Sequence, residues 1–167
     1  HNALNSDDTR FAVSCARAMG ATIFETENEV GIHTLIVESM GVPLVPATAS
    51  MHAGNSGITT HFFMPTIGLR DNTHTPFVVD AGDQMRARPL APLACALTNL
   101  GMRIDTSENS SCLPFSITGT LLGGVTQVEG TSSQYLSALL LSLPCARDNS
   151  VITVRNLQER PYADMTL

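Results

Sequence analysis

The 167 residues, 43% hydrophobic and 14% charged, suffice for one domain with a real core and are too apolar for a disordered chain. A formal net charge of -6, with only nine Lys and Arg, excludes a broad surface for nucleic acid or anionic membrane, because affinity for phosphate backbones comes from clustered cations. No apolar run approaches the length of a membrane span and the N-terminus lacks the layout of a signal peptide, so a cytoplasmic location is expected.

The chain opens on His1-Asn2-Ala3-Leu4 and passes almost at once into a helix predicted over 7–19. Ser6 can cap it, Asp7 and Asp8 suit the positive end of its dipole, and Gly20 ends it. That position accounts for the two aspartates without making them a catalytic acid pair. Phe11, Cys15 and Met19, four residues apart, share one face. Two short strands are expected at 22–26 and 32–37, joined by the polar Glu27-Asn28-Glu29 turn.

The same grammar returns downstream. A strand over 76–80 leads to a helix over 88–100, with Pro89 suited to its first turn, and Gly101 ends that helix before strands at 102–105 and 115–118. A third copy starts with a strand at 125–129, a helix over 133–143 and a strand at 151–155. It then reaches Glu159-Arg160-Pro161-Tyr162, which echoes Ala87-Arg88-Pro89-Leu90 at the same strand-to-helix junction. Internal triplication of a βαβαββ unit, with the front half of the first copy missing, makes this an α/β (α+β) domain. The final Ala163-Asp164-Met165-Thr166-Leu167 stops inside what reads as another helix, so both ends read as cut.

Cys15, Cys95, Cys112 and Cys145 contain no CxxC pair and three of them sit in apolar sequence, so buried thiols are expected rather than a disulfide or zinc framework. The histidines, His1, His33, His52, His61 and His74, show no i, i+4 ligand pair, and no metal site is expected.

Three strand-to-helix junctions could hold an anion, since the start of a helix presents free backbone N–H groups. In Gly54-Asn55-Ser56-Gly57 the glycines allow close backbone approach and Asn55 can bridge loops through its amide, although an ordinary glycine turn explains the same residues. In Thr131-Ser132-Ser133-Gln134 the hydroxyls can cap the helix or meet phosphate oxygens, and capping needs only one of them. Tyr135, Leu136, Leu139, Leu140 and Leu143 form that helix's core stripe. Arg88, just before Pro89, is either a surface charge or a clamp for a carboxylate or phosphate.

Taken together and in order, Ser6-Asp7-Asp8-Thr9-Arg10, Gly54-Asn55-Ser56-Gly57, Met85-Arg86-Ala87-Arg88-Pro89, Pro114, Gly123-Gly124, Ser132-Ser133-Gln134 and Pro161-Tyr162 with Asp164-Met165-Thr166-Leu167 resemble the EPSP (5-enolpyruvylshikimate-3-phosphate) synthase family over nearly all of the chain. The resemblance implies an inside-out α/β barrel domain built from βαβαββ units, paired with a second domain that this chain lacks. It implies transfer of the enolpyruvyl group of phosphoenolpyruvate to a hydroxyl of a phosphorylated acceptor, without metal or organic cofactor. Carried over by position, Gly57, Arg88 and Gln134 would contact phosphoenolpyruvate, Ser132 and Ser133 would hold the acceptor's phosphate, and Tyr162 would line its pocket. The family's Gly-Ser-Lys-Ser segment should precede His1, and the remaining catalytic groups, which this chain does not identify, belong to the second domain.

Two departures concern specificity. Gly57-Ile58-Thr59-Thr60-His61-Phe62 stands where the family reads Gly-Thr-Ala-Met-Arg-Pro, so a titratable imidazole replaces a fixed cation. Glu159 replaces a small hydroxyl residue beside the acceptor, where a carboxylate would repel a phosphate. Shikimate 3-phosphate is the default acceptor. A nucleotide such as UMP, as in nucleoside-antibiotic biosynthesis, is the alternative, and a non-catalytic anion-binding module of the same fold is a further one. A triphosphate-binding module is disfavoured by the absence of any lysine and of a Walker sequence.

Overall fold

The computed structural model describes residues 2–39, 41–106 and 111–167, which leaves His1 and the chain start built on it outside the described residues. The expected α/β class is present. Helix α1 spans Asp7–Ala18, with Ser6 as its cap accepting from the Thr9 amide at 3.3 Å and two aspartates in its first turn. Strands β1 (Thr22–Glu27) and β2 (His33–Glu38) follow as an antiparallel hairpin in the register Thr22 to Glu38.

A full βαβαββ unit comes next. It comprises β3 (Ser50–His52), α2 (Gly57–Thr66), β4 (Phe77–Asp80), the single turn α3 (Asp83–Arg86), α4 (Ala91–Asn99), β5 (Met102–Thr106) and β6 (Phe115–Gly119). Its sheet has the order β3-β4-β6-β5, with β3 parallel to β4 and the other pairs antiparallel. The last stretch supplies β7 (Gly124–Glu129), α5 (Ser133–Ser142), β8 (Ser150–Arg155) and the short α6 (Arg160–Asp164), with β7 parallel to β8. The parallel pairs place α2 and α5 as crossovers after β3 and β7.

Period-two burial makes the sheet one wall of the core. Phe77, Val79, Phe115 and Ile117 are buried while Val78, between the first two, is 40% exposed. Met64 and Ile67 near the end of α2, Leu93 and Leu97 of α4, and Leu139 of α5 fill the other side. Arg70 is also buried, its guanidinium donating to the carbonyls of Ile67, Thr75 and Ile117 and lying 5.2 Å from the centre of the Phe77 ring, which makes it a strut of the core.

Two expectations need correction. The helix predicted over 88–100 begins only at Ala91, with Pro92 in its first turn. The Leu90 amide donates to the Ser111 carbonyl, and the residue before a proline disfavours helical geometry, so Arg88 and Pro89 form a link between α3 and α4. Of the cysteines expected to be buried, Cys15 alone is; Cys95 and Cys145 are exposed and Cys112 is intermediate, and none forms a disulfide. Apolar neighbours in sequence do not place a residue on the inner face of a helix. Among the described residues, no helix is long and apolar enough to cross a membrane.

Candidate functional site

Three loops meet where α2 and α5 begin. The first leaves β3 through Ala53 and Gly54, whose φ of 56° and contact with the Phe11 ring leave no room for a side chain. Ser56 then caps α2, accepting from the Thr59 amide at 3.2 Å and donating to its hydroxyl at 2.8 Å. Asn55 bridges loops as expected. Its Oδ1 accepts from the Gln84 amide at 3.2 Å and packs on Gly82, whose own amide donates to the Gly54 carbonyl at 2.7 Å. Asn55 therefore sets where the second loop stands, and does not line the pocket described below.

That second loop carries Arg86 and Arg88. Met85, fully buried, anchors α3 in the core. Arg86 turns back to Asp80, donating from Nε at 2.9 Å and also from Nη2, and these bonds hold the Asp80 carboxyl below the usual carboxylate range. Arg88 is exposed and, among the described residues, forms no ion pair, and its guanidinium lies over Gly57.

The third loop leaves β7 at Gly130. Ser132 caps α5 by accepting from the Gln134 amide at 3.3 Å, which frees Ser133 from that role. Gln134 points toward α2, so that a Cβ placed on Gly57 would lie 3.2 Å from Gln134 Oε1 and 3.6 Å from Arg88 Nη1. Gly57, Arg88 and Gln134 are thus brought together. The result is a small cradle that could hold an anion: one guanidinium, one amide side chain and the start of a helix. A side chain at position 57 would fill it.

His61 lies one turn beneath. It is 4% exposed, both ring nitrogens lack a hydrogen bond of ordinary geometry, and Tyr135 meets it edge-on at 5.1 Å. Burial pushes its pKa below the ordinary 6.5; the nearby Gln134 side chain and Gly57 backbone oppose this, and the Arg88 charge adds to it. The expected titratable stand-in for a fixed cation is accordingly a buried imidazole under the cradle whose charged form is disfavoured. Tyr135 also donates to the Pro89 carbonyl at 3.5 Å, a long bond that links α5 to the loop bearing Arg88.

Beside the cradle opens a pocket of about 650 Å³. Gln134, Ser133, Glu159 and Tyr162 line it, so two of the three residues expected around an acceptor face one cavity, and Ser132 does not. Ser133 donates to Glu159 Oε2 at 3.2 Å, and Tyr162 is 62% exposed at the rim. Sequence reasoning did not assign the rest of the wall: Ile58, Phe62, Ser137, Leu141, Met165 and Thr166. The available signal was the i, i+4 spacing of Ile58 with Phe62 and of Ser133, Ser137 and Leu141, a second stripe beside the leucine stripe of α5. Among the described residues no group of three His, Cys, Asp or Glu could hold a metal ion.

Comparison with known proteins matches residues 1–167 to the family model described as EPSP synthase (3-phosphoshikimate 1-carboxyvinyltransferase). A 3-phosphoshikimate 1-carboxyvinyltransferase of Acetivibrio thermocellus is 39% identical over 98% of this chain and 37% of its own length. One from Methanococcoides burtonii is 32% identical over 100% of this chain and 38% of its own. The chain thus spans a little over a third of the length of these curated relatives. A solved structure of an EPSP synthase from Acinetobacter baumannii superimposes with a TM-score of 0.78 at 22% identity, over 96% of this chain and 35% of that one, and shows the shared fold.

Proposed function

The chain belongs to the EPSP synthase family, and from that premise we propose that it forms one wall of an enolpyruvyl transferase, the rest of whose active site is carried by a second domain. The observation that carries this reading is the convergence of Gly57, Arg88 and Gln134 from three separate loops. Phosphoenolpyruvate is a compact polyanion, and a guanidinium beside helix-start N–H groups suits its carboxylate or phosphate, to which Gln134 would donate once its amide turns the nitrogen, in place of Oε1, toward Gly57. Each charge-assisted bond contributes about 1.5–3 kcal/mol, enough to orient the donor and too little to account for a catalysed transfer by itself.

In the proposed reaction an acceptor hydroxyl adds to the oxygen-bearing carbon of phosphoenolpyruvate while its methylene carbon takes a proton. The resulting tetrahedral adduct then loses a proton from that methyl group and expels phosphate, leaving the enolpyruvyl ether. Atoms and charge balance without metal or organic cofactor. This chain would hold the donor in the cradle and the acceptor in the adjoining pocket, with Gln134 between them. Catalytic acid and base groups are left to the second domain. Shikimate 3-phosphate, taken from the relatives' names, is the first acceptor to test. The Glu159 carboxylate bound to Ser133 is the observation that keeps a different acceptor open, with UMP as the alternative to test, although it does not by itself separate one phosphate ester from another.

The test is phosphate release by the intact protein given phosphoenolpyruvate and each acceptor in turn. The proposal expects release that requires both substrates. Release from phosphoenolpyruvate alone at the same rate, or none with any phosphorylated or hydroxylated acceptor, would remove the transferase reading.

A further inference from the structure

Ser133 is 4% exposed and its hydroxyl is committed to Glu159, which makes the acceptor end of the pocket anionic. The geometry points to an acceptor that presents neutral ring hydroxyls, as on a cyclic polyol or a ribose, to Glu159, with no phosphate at that end. This rests on the transferase reading, because it concerns the acceptor of the same site.

The chemistry of the contact argues for it. An ionised carboxylate only accepts hydrogen bonds, and with one oxygen on Ser133 it retains capacity for further donors. Hydroxyls supply donors. A phosphate ester is an acceptor with the same sign of charge, so it gains no bond from Glu159 and must take Ser133's proton from it. Among the described residues no cationic side chain lines the pocket to offset the repulsion. The adjacent Arg160 reaches Asp164 at 3.4 Å, and Arg88 stands over Gly57.

The backbone keeps Glu159 in place. It sits at φ 53°, a region that non-glycine residues seldom occupy, and its carbonyl accepts from the Tyr162 amide at 3.0 Å. The loop before it is pinned on Gly130, which exchanges bonds with Gln158 at 2.8 Å and Arg155 at 2.7 Å and lies so close to Leu157 that any side chain at 130 would collide. Across the cavity Ile58, Phe62, Leu141 and Met165 offer an apolar surface, and the Tyr162 ring stands at the rim. One polar edge and one apolar face match a hydroxylated ring, whose C–H face packs on aromatic and aliphatic carbon.

The experiment measures affinities of the intact protein, with phosphoenolpyruvate present, for two matched pairs: shikimate with shikimate 3-phosphate, and uridine with UMP. Glu159→Gln removes the charge and keeps the shape, and because Glu159 is exposed the fold is expected to survive, which an unchanged melting curve verifies. In at least one pair the wild type should bind the unphosphorylated member no more weakly than the phosphate ester, and Glu159→Gln should shift that preference at least tenfold toward the ester. A wild type that favours the ester in both pairs, a shift below threefold, or no binding of any of the four probes to either protein overturns the proposal. Phosphoenolpyruvate affinity measured alone separates the failures: its absence in the wild type removes the transferase reading, whereas its presence with an unaltered acceptor preference removes only the role of Glu159.

Discussion

Arg86 and Arg88 stand two positions apart in the same loop and meet different fates. Asp80 takes up the guanidinium of the first, while the second lies over Gly57 with no ion pair among the described residues. Neither outcome is legible locally, since it depends on where β4 ends and how Asn55 pins the loop. The resemblance of the junction motifs named Gly57, Arg88 and Gln134 without showing what they share, which is proximity across three loops. The pairing of Ser133 with Glu159 was out of reach for the same reason, because it requires the chain leaving β8 to return to the start of α5. His61 yields a pH prediction. Its folded pKa lies below the unfolded 6.5, so the unfolded chain binds more protons as pH falls, and the neutral histidine's share of stability, complete above 6.5, is lost on acidification. Melting temperatures followed from pH 7.5 to 5 should fall more steeply for wild type than for His61→Leu; parallel curves would show that His61 is not held neutral. Cys15 offers a kinetic readout. Burial pushes its thiol up to about 11, whereas Cys95 and Cys145 are exposed. Under native conditions a thiol reagent should modify Cys95 and Cys145 quickly and reach Cys15 only on unfolding, and rapid native labelling of Cys15 would contradict the packing of α1.

At the scale of elements the repeat was legible because it leaves a physical mark. Gly20 and Gly101 close α1 and α4 with φ of 98° and 102°, each followed by two antiparallel strands, so the helix-Gly-strand-strand reading corresponds to one backbone solution used twice. A side chain at Gly20 would strike the Val45 carbonyl, and one at Gly101 would lie 2.7 Å from the Thr120 carbonyl, while Gly41, at φ 77°, has open space around it. Left-handed geometry costs a non-glycine residue about 1–3 kcal/mol. Gly20→Ala and Gly101→Ala should therefore lose more stability in urea than Gly41→Ala, which carries the backbone term alone; equal losses would mean that the close approach is not real. The elements missed or misplaced were those without such marks. Strand β3 has three residues, only one of them buried, too short for a periodic signal. The break before α4 follows from the Leu90 bond to Ser111, a partner that no helix propensity reveals.

The described residues of the molecule form one four-stranded sheet and two two-stranded ones, the β1–β2 hairpin and the β7–β8 pair. Phe24, Ile36, Val125 and Val151 on those outer pairs are each more than half exposed, consistent with the proposal that further chain completes the domain and the site. Isolated, the 167 residues are expected to release no phosphate from phosphoenolpyruvate and either acceptor, and measurable turnover by them alone would refute a divided site. Whether the cradle at Gly57, Arg88 and Gln134 binds the donor is decided by titrating phosphoenolpyruvate into the intact wild type, Arg88→Ala and Arg86→Ala. Affinity should weaken roughly ten- to a hundredfold in Arg88→Ala, the loss of one charge-assisted contact, and change less than about threefold in Arg86→Ala. Arg88→Ala binding within threefold of wild type would contradict donor binding there.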